Sequence, residues 1–188
     1  MAPPTLIDIS AAFNQGAGIG RYCRELTRKL IPLLPPGSTR LWYAADDAPV
    51  DPRLLDLPPW NGLPATQAHL SRANVDRFFM RARLPIGRLL GAGNPSDSYS
   101  PDFTAPPGAR EHVTIHDLAW MHPEAQAPPD LANFLAPVVD RAIGRATTIF
   151  TVSESVRAEI LNRYGVGDER VIVAANAAAP PFFHADPL

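Results

Sequence analysis

Three short segments carry residues whose types and spacing suit chemistry on a small ligand. The first is Gly16-Ala17-Gly18-Ile19-Gly20, between the apolar segment Leu6-Ile7-Asp8-Ile9 and a helical pattern that begins at Arg21. Glycines at such a junction let a backbone approach a ligand closely, and the helix start behind them offers free N–H groups to an anion. The second is His116-Asp117, which closes a β-branched run. A neutral imidazole there can donate or accept a hydrogen bond near pH 7 and orient a hydroxyl. The third is Ser153-Glu154, at the start of another helical pattern. Ser153 suits an N-cap and Glu154 suits the positive end of the helix, and a cap is compatible with a ligand contact.

The spacings restrict what these segments can do. The first loop is G-x-G-x-G, not G-x-G-x-x-G: counted from Gly16, the sixth position is Arg21. No acidic residue marks a ribose site near position 40, and Asp46-Asp47 come later. A dinucleotide site is therefore poorly supported. A tight turn without a ligand and a loop that touches a sugar or a diphosphate both remain open. Glu111, His112 and His116 resemble a metal set at first sight, but along a strand the two histidine β-carbons lie roughly 13 Å apart, too far for one ion. No metal site is expected. There is no G-x-S-x-G elbow to expose a hydrolase serine. Cys23 is the only cysteine, which excludes a disulfide framework and a C-x-x-C motif, and it reads as a core thiol. Arg21, Arg24, Arg28 and Lys29 read as a solvated helix face, with an anionic lipid or a phosphorylated substrate as the alternative partner.

The elements that must position these residues alternate. Leu6–Ile9 reads as a first strand. A helix follows over 21–34, with Ile19, Tyr22, Leu26, Leu30 and Leu33 as its apolar stripe, ended by Pro32 and Pro35-Pro36-Gly37. A second strand covers 40–45. Residues 46–70 hold several prolines and show no period, so they read as a long loop or a short helix. Val75, Phe78, Phe79 and Ala82 predict a helix over about 72–84, before Pro85. Strands are predicted at 96–100, at 111–116 and at 147–152, the last buried on both faces. A long helix bent at Pro137 runs through Leu131, Val138, Val139 and Ile143 to Ala146. A helix from Ser153 to Gly165 and a strand at 170–175 close the pattern. Continuous apolar strands alternating with helices predict a Rossmann-like open parallel sheet with helices on both faces. Ligands of such sheets bind outside the carboxyl ends of the strands, where all three segments fall.

Composition sets the outer bounds. At 188 residues the chain is long enough for one domain with a sizeable core. It is 46% hydrophobic and 19% charged, which fits a globular domain and excludes intrinsic disorder. The net charge of -2 provides no footprint for nucleic acid. The 22 prolines exceed the usual share of about 5%, and they cluster in doublets that punctuate loops. No apolar run is long enough to span a bilayer, and the N-terminus does not read as a signal peptide, so a cytoplasmic location is expected.

Taken together, the blocks resemble family 4 glycosyltransferases. Gly18-Ile19-Gly20-Arg21-Tyr22, followed by Glu25-Leu26 and Leu30, is similar to that family's first loop and helix. Thr114-Ile115-His116-Asp117-Leu118, with His122-Pro123-Glu124 after it, is similar to its "HDL…P" segment, and Tyr99-Ser100-Pro101-Asp102-Phe103 fits the stretch ahead of that. Ile149-Phe150-Thr151-Val152-Ser153-Glu154-Ser155 resembles its "VSE-S" segment, with Arg170-Val171-Ile172-Val173 next. The agreement of these blocks in order is more specific than any one of them, and it covers nearly the whole chain.

The resemblance implies the N-terminal half of a GT-B fold, closest to mannosyl- or rhamnosyltransferases of surface-polysaccharide assembly. Residues 1–175 would form the acceptor-binding domain, and 176–188 the interdomain linker. The donor-binding half, with its E-x7-E carboxylates, would be missing from this sequence. Where the family continues P-N-G-V-D-x-x-F, residues 175–182 keep Asn176 but have neither the glycine nor the acidic residue. The implied reaction is retaining transfer from a nucleotide-diphosphosugar to a glycan or lipid-linked acceptor, with no metal or other cofactor. His116 would serve as the catalytic residue, bonding a hydroxyl of the reacting sugar. Gly16, Gly18, Ile19, Gly20, Asp117, Ser153 and Glu154 would bind substrate. The chain alone is expected to be inactive, and peripheral membrane contact and dimerisation through the exposed interdomain face are further expectations. The competing expectation is a stand-alone α/β module that binds a small molecule or a nucleotide.

Overall fold

The computed structural model describes residues 4–16, 18–46, 50–71, 74–75, 95–103 and 109–177. Seven strands form one all-parallel sheet: β1 (Thr5–Asp8), β2 (Thr39–Tyr43), β3 (Ala65–Gln67), β4 (Asp97–Ser100), β5 (Arg110–Ile115), β6 (Thr148–Thr151) and β7 (Val171–Val173). Their order across the sheet is β3-β2-β1-β4-β5-β6-β7. The chain winds outward from β1 in one direction through β2 and β3, then returns to pair β4 on the other side of β1. That doubly wound α/β order is the expected fold class, and it puts the reversal of direction between β1 and β4.

Register decides which side chains share a face. Ile7 pairs with Leu41 on one side and Tyr99 on the other, so these three point the same way. They pack with Phe13 of α1 (Ser10–Asn14) and Cys23 of α2 (Ile19–Leu30) in one buried cluster. On the opposite face Val113, Ile149 and Val171 lie in register. They pack with Val139 and Ile143 of α3 (Pro129–Arg145) and Ile160 of α4 (Glu154–Tyr164). Helices thus cover both faces, as continuous apolar strands require.

Local chemistry sets the ends of these helices. Pro32 and Pro35 follow α2, which stops at Leu30 and passes into a 3-10 turn over Ile31–Leu33. α4 opens on Ser153, whose Oγ accepts the Val156 N–H at 3.2 Å, and closes on Gly165 at φ +60°. α3 accommodates Pro137 within its span, and its last carbonyls receive the Arg170 guanidinium at Ile143 and Ala146.

Three expectations are corrected. β6 is not sealed on both faces: Ile149 and Thr151 are buried, while Thr148 and Phe150 are half-buried. The stretch 46–70, expected as a long loop or a short helix, holds a 3-10 turn at Leu54–Asp56 and also supplies the edge strand β3. It also contributes Leu54 and Trp60 to the core, where the Trp60 indole N–H donates to Thr27 Oγ1 at 3.1 Å. The helix expected over 21–34 spans Ile19–Leu30, and a further short helix, α1, precedes the glycine loop. The helix expected over 72–84 lies largely outside the described residues. Of its stripe, Val75 is buried beside Leu6 and Trp42. Among the described residues no helix is long and apolar enough to cross a membrane.

At the amino ends of β4 and β5, Asp97 accepts from Arg110 at 2.7 Å, from His112 at 3.1 Å and from Ser96 at 2.9 Å. Burial alone would raise its pKa, but these hydrogen bonds prevail and hold the carboxyl at about 2, against an ordinary 3.8. A carboxyl lowered on folding stabilises the protein above its unfolded pKa and loses that contribution as pH falls toward its folded one. Urea unfolding of wild type and Asp97→Asn should therefore show a stability gap at pH 6 that closes between about pH 4 and pH 2. A gap independent of pH across that window would contradict the ion cluster.

Candidate functional site at the strand reversal

The carboxyl ends of β1, β4 and β5 bring polar side chains together beside the first turn of α2. Asp8 ends β1 and is buried, and its Oδ1 accepts the Ser10 N–H at 2.8 Å as well as the Ser10 hydroxyl. The same hydroxyl oxygen accepts the Ala44 N–H after β2 at 2.9 Å. Asn14 joins the two connections again: its amide donates to the Ala44 carbonyl at 2.8 Å and its Oδ1 accepts the Asp46 N–H at 3.0 Å. After β4, Asp102 is buried and accepts the Phe103 N–H at 2.8 Å. These bonds fix the loops of the crest.

The glycine loop has a mechanical explanation before it has a chemical one. Gly18 sits at φ +58° as the N-cap of α2, a region that suits glycine. At Gly20 a β-carbon would overlap the Gln15 carbonyl oxygen and come within 2.7 Å of the Ala11 oxygen. The start of α2 can lie this close to α1 only with glycine there. Gly16 is different, because its β-carbon would meet Val50 at an ordinary 3.5 Å. The Gly18 N-cap brings no side-chain oxygen to the first-turn N–H groups. The main chain at Gly18, Ile19 and Gly20 is thus the part of the loop suited to an external acceptor.

Arg24 is not part of a solvated face. Its Nη1 donates to the carbonyls of Ala12 at 2.7 Å and Gln15 at 2.8 Å, and its Nη2 donates to Gly16 at 2.6 Å. The guanidinium therefore clamps the loop from behind, where the carboxyl end of α1 favours positive charge. Arg28 lies over the Trp60 ring at 5.6 Å from its centroid and pairs with Glu25 at 3.2 Å. Of the four basic residues, Arg21, Arg28 and Lys29 are exposed, and Arg24 is half-buried.

His116 follows β5 and is half-buried at the reversal. Its Nε2 lies 2.9 Å from the Pro101 carbonyl, and its ring meets the Tyr22 ring edge-on, 4.7 Å between centroids at 89°. Tyr22 belongs to the first turn of α2, so the glycine loop and His116 share one corner. Behind them Tyr99 is within 3.2 Å of Thr114 Oγ1, and its phenol is raised well above the ordinary value by burial and then by the neighbouring Tyr22. Cys23, fully buried beside the Asp8 carbonyl, has its thiol pushed far up by burial and then by the Asp8 charge. It is a core thiol, as expected, and no nucleophile.

The remaining candidates stand apart. Asp117 is exposed and turns its carboxylate onto its own loop, accepting the Ala119 N–H at 3.0 Å. Ser153 is occupied as a helix cap, and Glu154 is exposed, 3.8 Å from Arg157. Both follow β6, two strands from β4, which puts them about 10 Å to the side of the reversal. His112 and His116 separate as their spacing requires: His112 binds Asp97 at 3.1 Å and His116 binds Pro101. Among the described residues no three His, Cys, Asp or Glu side chains gather as metal ligands. Sequence reasoning missed Asp8, Asp102 and the Tyr22 contact. The available signal was a carboxylate at each strand exit, in Ile7-Asp8 and Pro101-Asp102.

No protein-family model matches the chain, and no curated protein matches it. Motif and geometry therefore carry the functional reading.

Gly20→Ala should lower the unfolding free energy by about 1–3 kcal/mol through overpacking, despite alanine's better helix propensity. Gly144→Ala in α3, where a β-carbon meets nothing within 4 Å, should instead stabilise by roughly 0.5 kcal/mol. Chemical denaturation measures both, and equal effects would contradict the close approach at Gly20.

Proposed function

We propose that the chain is the acceptor-binding half of a retaining GT-B glycosyltransferase of family 4. The observation that carries this reading is the meeting of two separated motif blocks, Gly18–Tyr22 and His116-Asp117, at the strand reversal, through the Tyr22–His116 contact. The third block, Ser153-Glu154, lies on the same crest and would border the acceptor farther out. In this reading His116 bonds a hydroxyl of the reacting sugar, and the glycan or lipid-linked acceptor lies along the crest.

Glycosyl transfer needs charge stabilisation on the departing diphosphate. The start of α2, capped by glycine alone, would offer main-chain N–H groups to it, whereas α4 already spends its first-turn N–H on Ser153. A metal is not required in this scheme. A second Rossmann-like half would bind the nucleotide-sugar and close the cleft, so this chain alone would bind acceptor without turnover. The reaction would take place in the cytoplasm, with lipid-linked acceptors bringing the domain to a membrane surface. The face that receives the second half is also the face through which two copies would pair.

Calorimetric titration of the chain with nucleotide-sugars and with neutral or lipid-linked glycans tests this. The expected result is glycan binding weakened about tenfold by His116→Ala, the loss of one hydrogen bond, with little nucleotide binding. Tight nucleotide binding, or turnover by this chain alone, would contradict the reading and favour a self-sufficient nucleotide-binding module.

A further inference from the structure

The environment of His116 is more specific than a strand-end position requires. Its Nε2 faces the Pro101 carbonyl oxygen at 2.9 Å. A carbonyl only accepts, so Nε2 carries the proton, and a neutral ring then leaves a lone pair on Nδ1. Among the described residues none hydrogen-bonds Nδ1. An imidazole held by a single hydrogen bond can still turn about its χ2 and exchange its two edges. The Tyr22 ring packs against it, perpendicular and 4.7 Å between centroids.

Tyr22 is itself held from three directions. Its N–H bonds the Gly18 carbonyl at 3.0 Å, which closes the first turn of α2. The next residue, Cys23, is fully buried, and α2 cannot shift toward α1 because Gly20 is already in contact there. Its phenol borders Tyr99, which is buried and anchored at Thr114. An aromatic ring fixed in this way has little freedom of its own to lose when a ligand arrives.

We propose that Tyr22 is a positioning residue that locks His116 in its Nε2–H tautomer and presents Nδ1 as an acceptor for a ligand hydroxyl. This deepens the acceptor-binding reading and rests on it for the identity of the ligand. A lone pair at Nδ1 selects an O–H donor. Carboxylate and fully ionised phosphate oxygens only accept and gain nothing from it. A sugar hydroxyl, not a charged group, would therefore face His116.

Long-range proton–nitrogen NMR spectra of the imidazole rings at neutral pH test the proposal on the whole chain. Wild type should show His116 with protonated Nε2 and unprotonated Nδ1. In Tyr22→Leu the minor Nδ1–H form should rise about fivefold as the ring is released, and Tyr22→Phe, which keeps the ring, should restore the wild-type pattern. A wild-type ring protonated at Nδ1, or a Leu variant indistinguishable from wild type, would overturn it. A wild-type ring protonated at Nδ1 overturns the proposal even if Tyr22→Leu does not fold, and Tyr22→Met then serves as the variant that removes the ring. Titration of the same samples with methyl mannoside reads the acceptor function separately. If wild type binds no sugar while Tyr22→Leu releases the tautomer, the acceptor reading fails and the positioning role stands.

Discussion

One contact governs the corner on which the site depends: the main chain of Gly20 against the carbonyl oxygens of Ala11 and Gln15. No other residue fits between them. The contact sets where α2 begins and the angle at which it leaves α1, so it places every side chain of the next two turns. Tyr22 then meets His116, Cys23 goes into the core, Arg24 reaches back to three carbonyls of the loop, and Thr27 receives the Trp60 indole. A glycine loop that looks built for a ligand is first built for packing. Its main chain at Gly18–Gly20 is left beside the crest because that packing leaves it no other position.

The sheet assigns different work to its two ends. At the amino ends of β4 and β5, Asp97 gathers Arg110, His112 and Ser96 into a closed ion cluster that leaves His112 committed to structure. At the carboxyl ends, the polar groups at the reversal between β1 and β4 hold loops. Asp8 and Asp102 spend hydrogen bonds on Ser10 and Phe103, and His116 spends one nitrogen on Pro101. Among the described residues, one imidazole nitrogen at that corner has no hydrogen-bond partner, and the start of α2 has no side-chain cap. Those groups suit a hydroxyl and an anion, the two chemistries that the proposed glycosyl transfer requires.

Much of this was legible in the sequence because it is local. Apolar runs without alternation gave away a parallel sheet, Ser153 and Gly165 marked the ends of α4 by their own side-chain and backbone chemistry, and a lone cysteine on an apolar stripe belonged in the core. The failures share a different cause. β3 is an exposed Ala-Thr-Gln edge whose only credential is main-chain pairing with β2, which no side-chain pattern encodes. Helical spacing leaves Arg24 on a solvated face, because its three carbonyl partners lie 8 to 12 residues earlier, on α1 and the loop after it, whose path depends on Gly20. Tyr22 was counted as core at its helical spacing, and only the placement of β5 beside β4 shows that its ring reaches His116 instead. Ser153 and Glu154 do lie on the same carboxyl edge as His116, as their place after β6 predicts, and the strand order sets them two strands from β4.

The most direct test of the central claim, that the reversal between β1 and β4 is the ligand site, is a map of amide chemical-shift changes on adding a neutral oligosaccharide. The changes should cluster at residues 14–22, 101–103 and 116–118, with the amino-end cluster around Asp97 and Arg110 silent. Saturable changes centred on that opposite end, with the glycine loop and His116 unmoved, would contradict it.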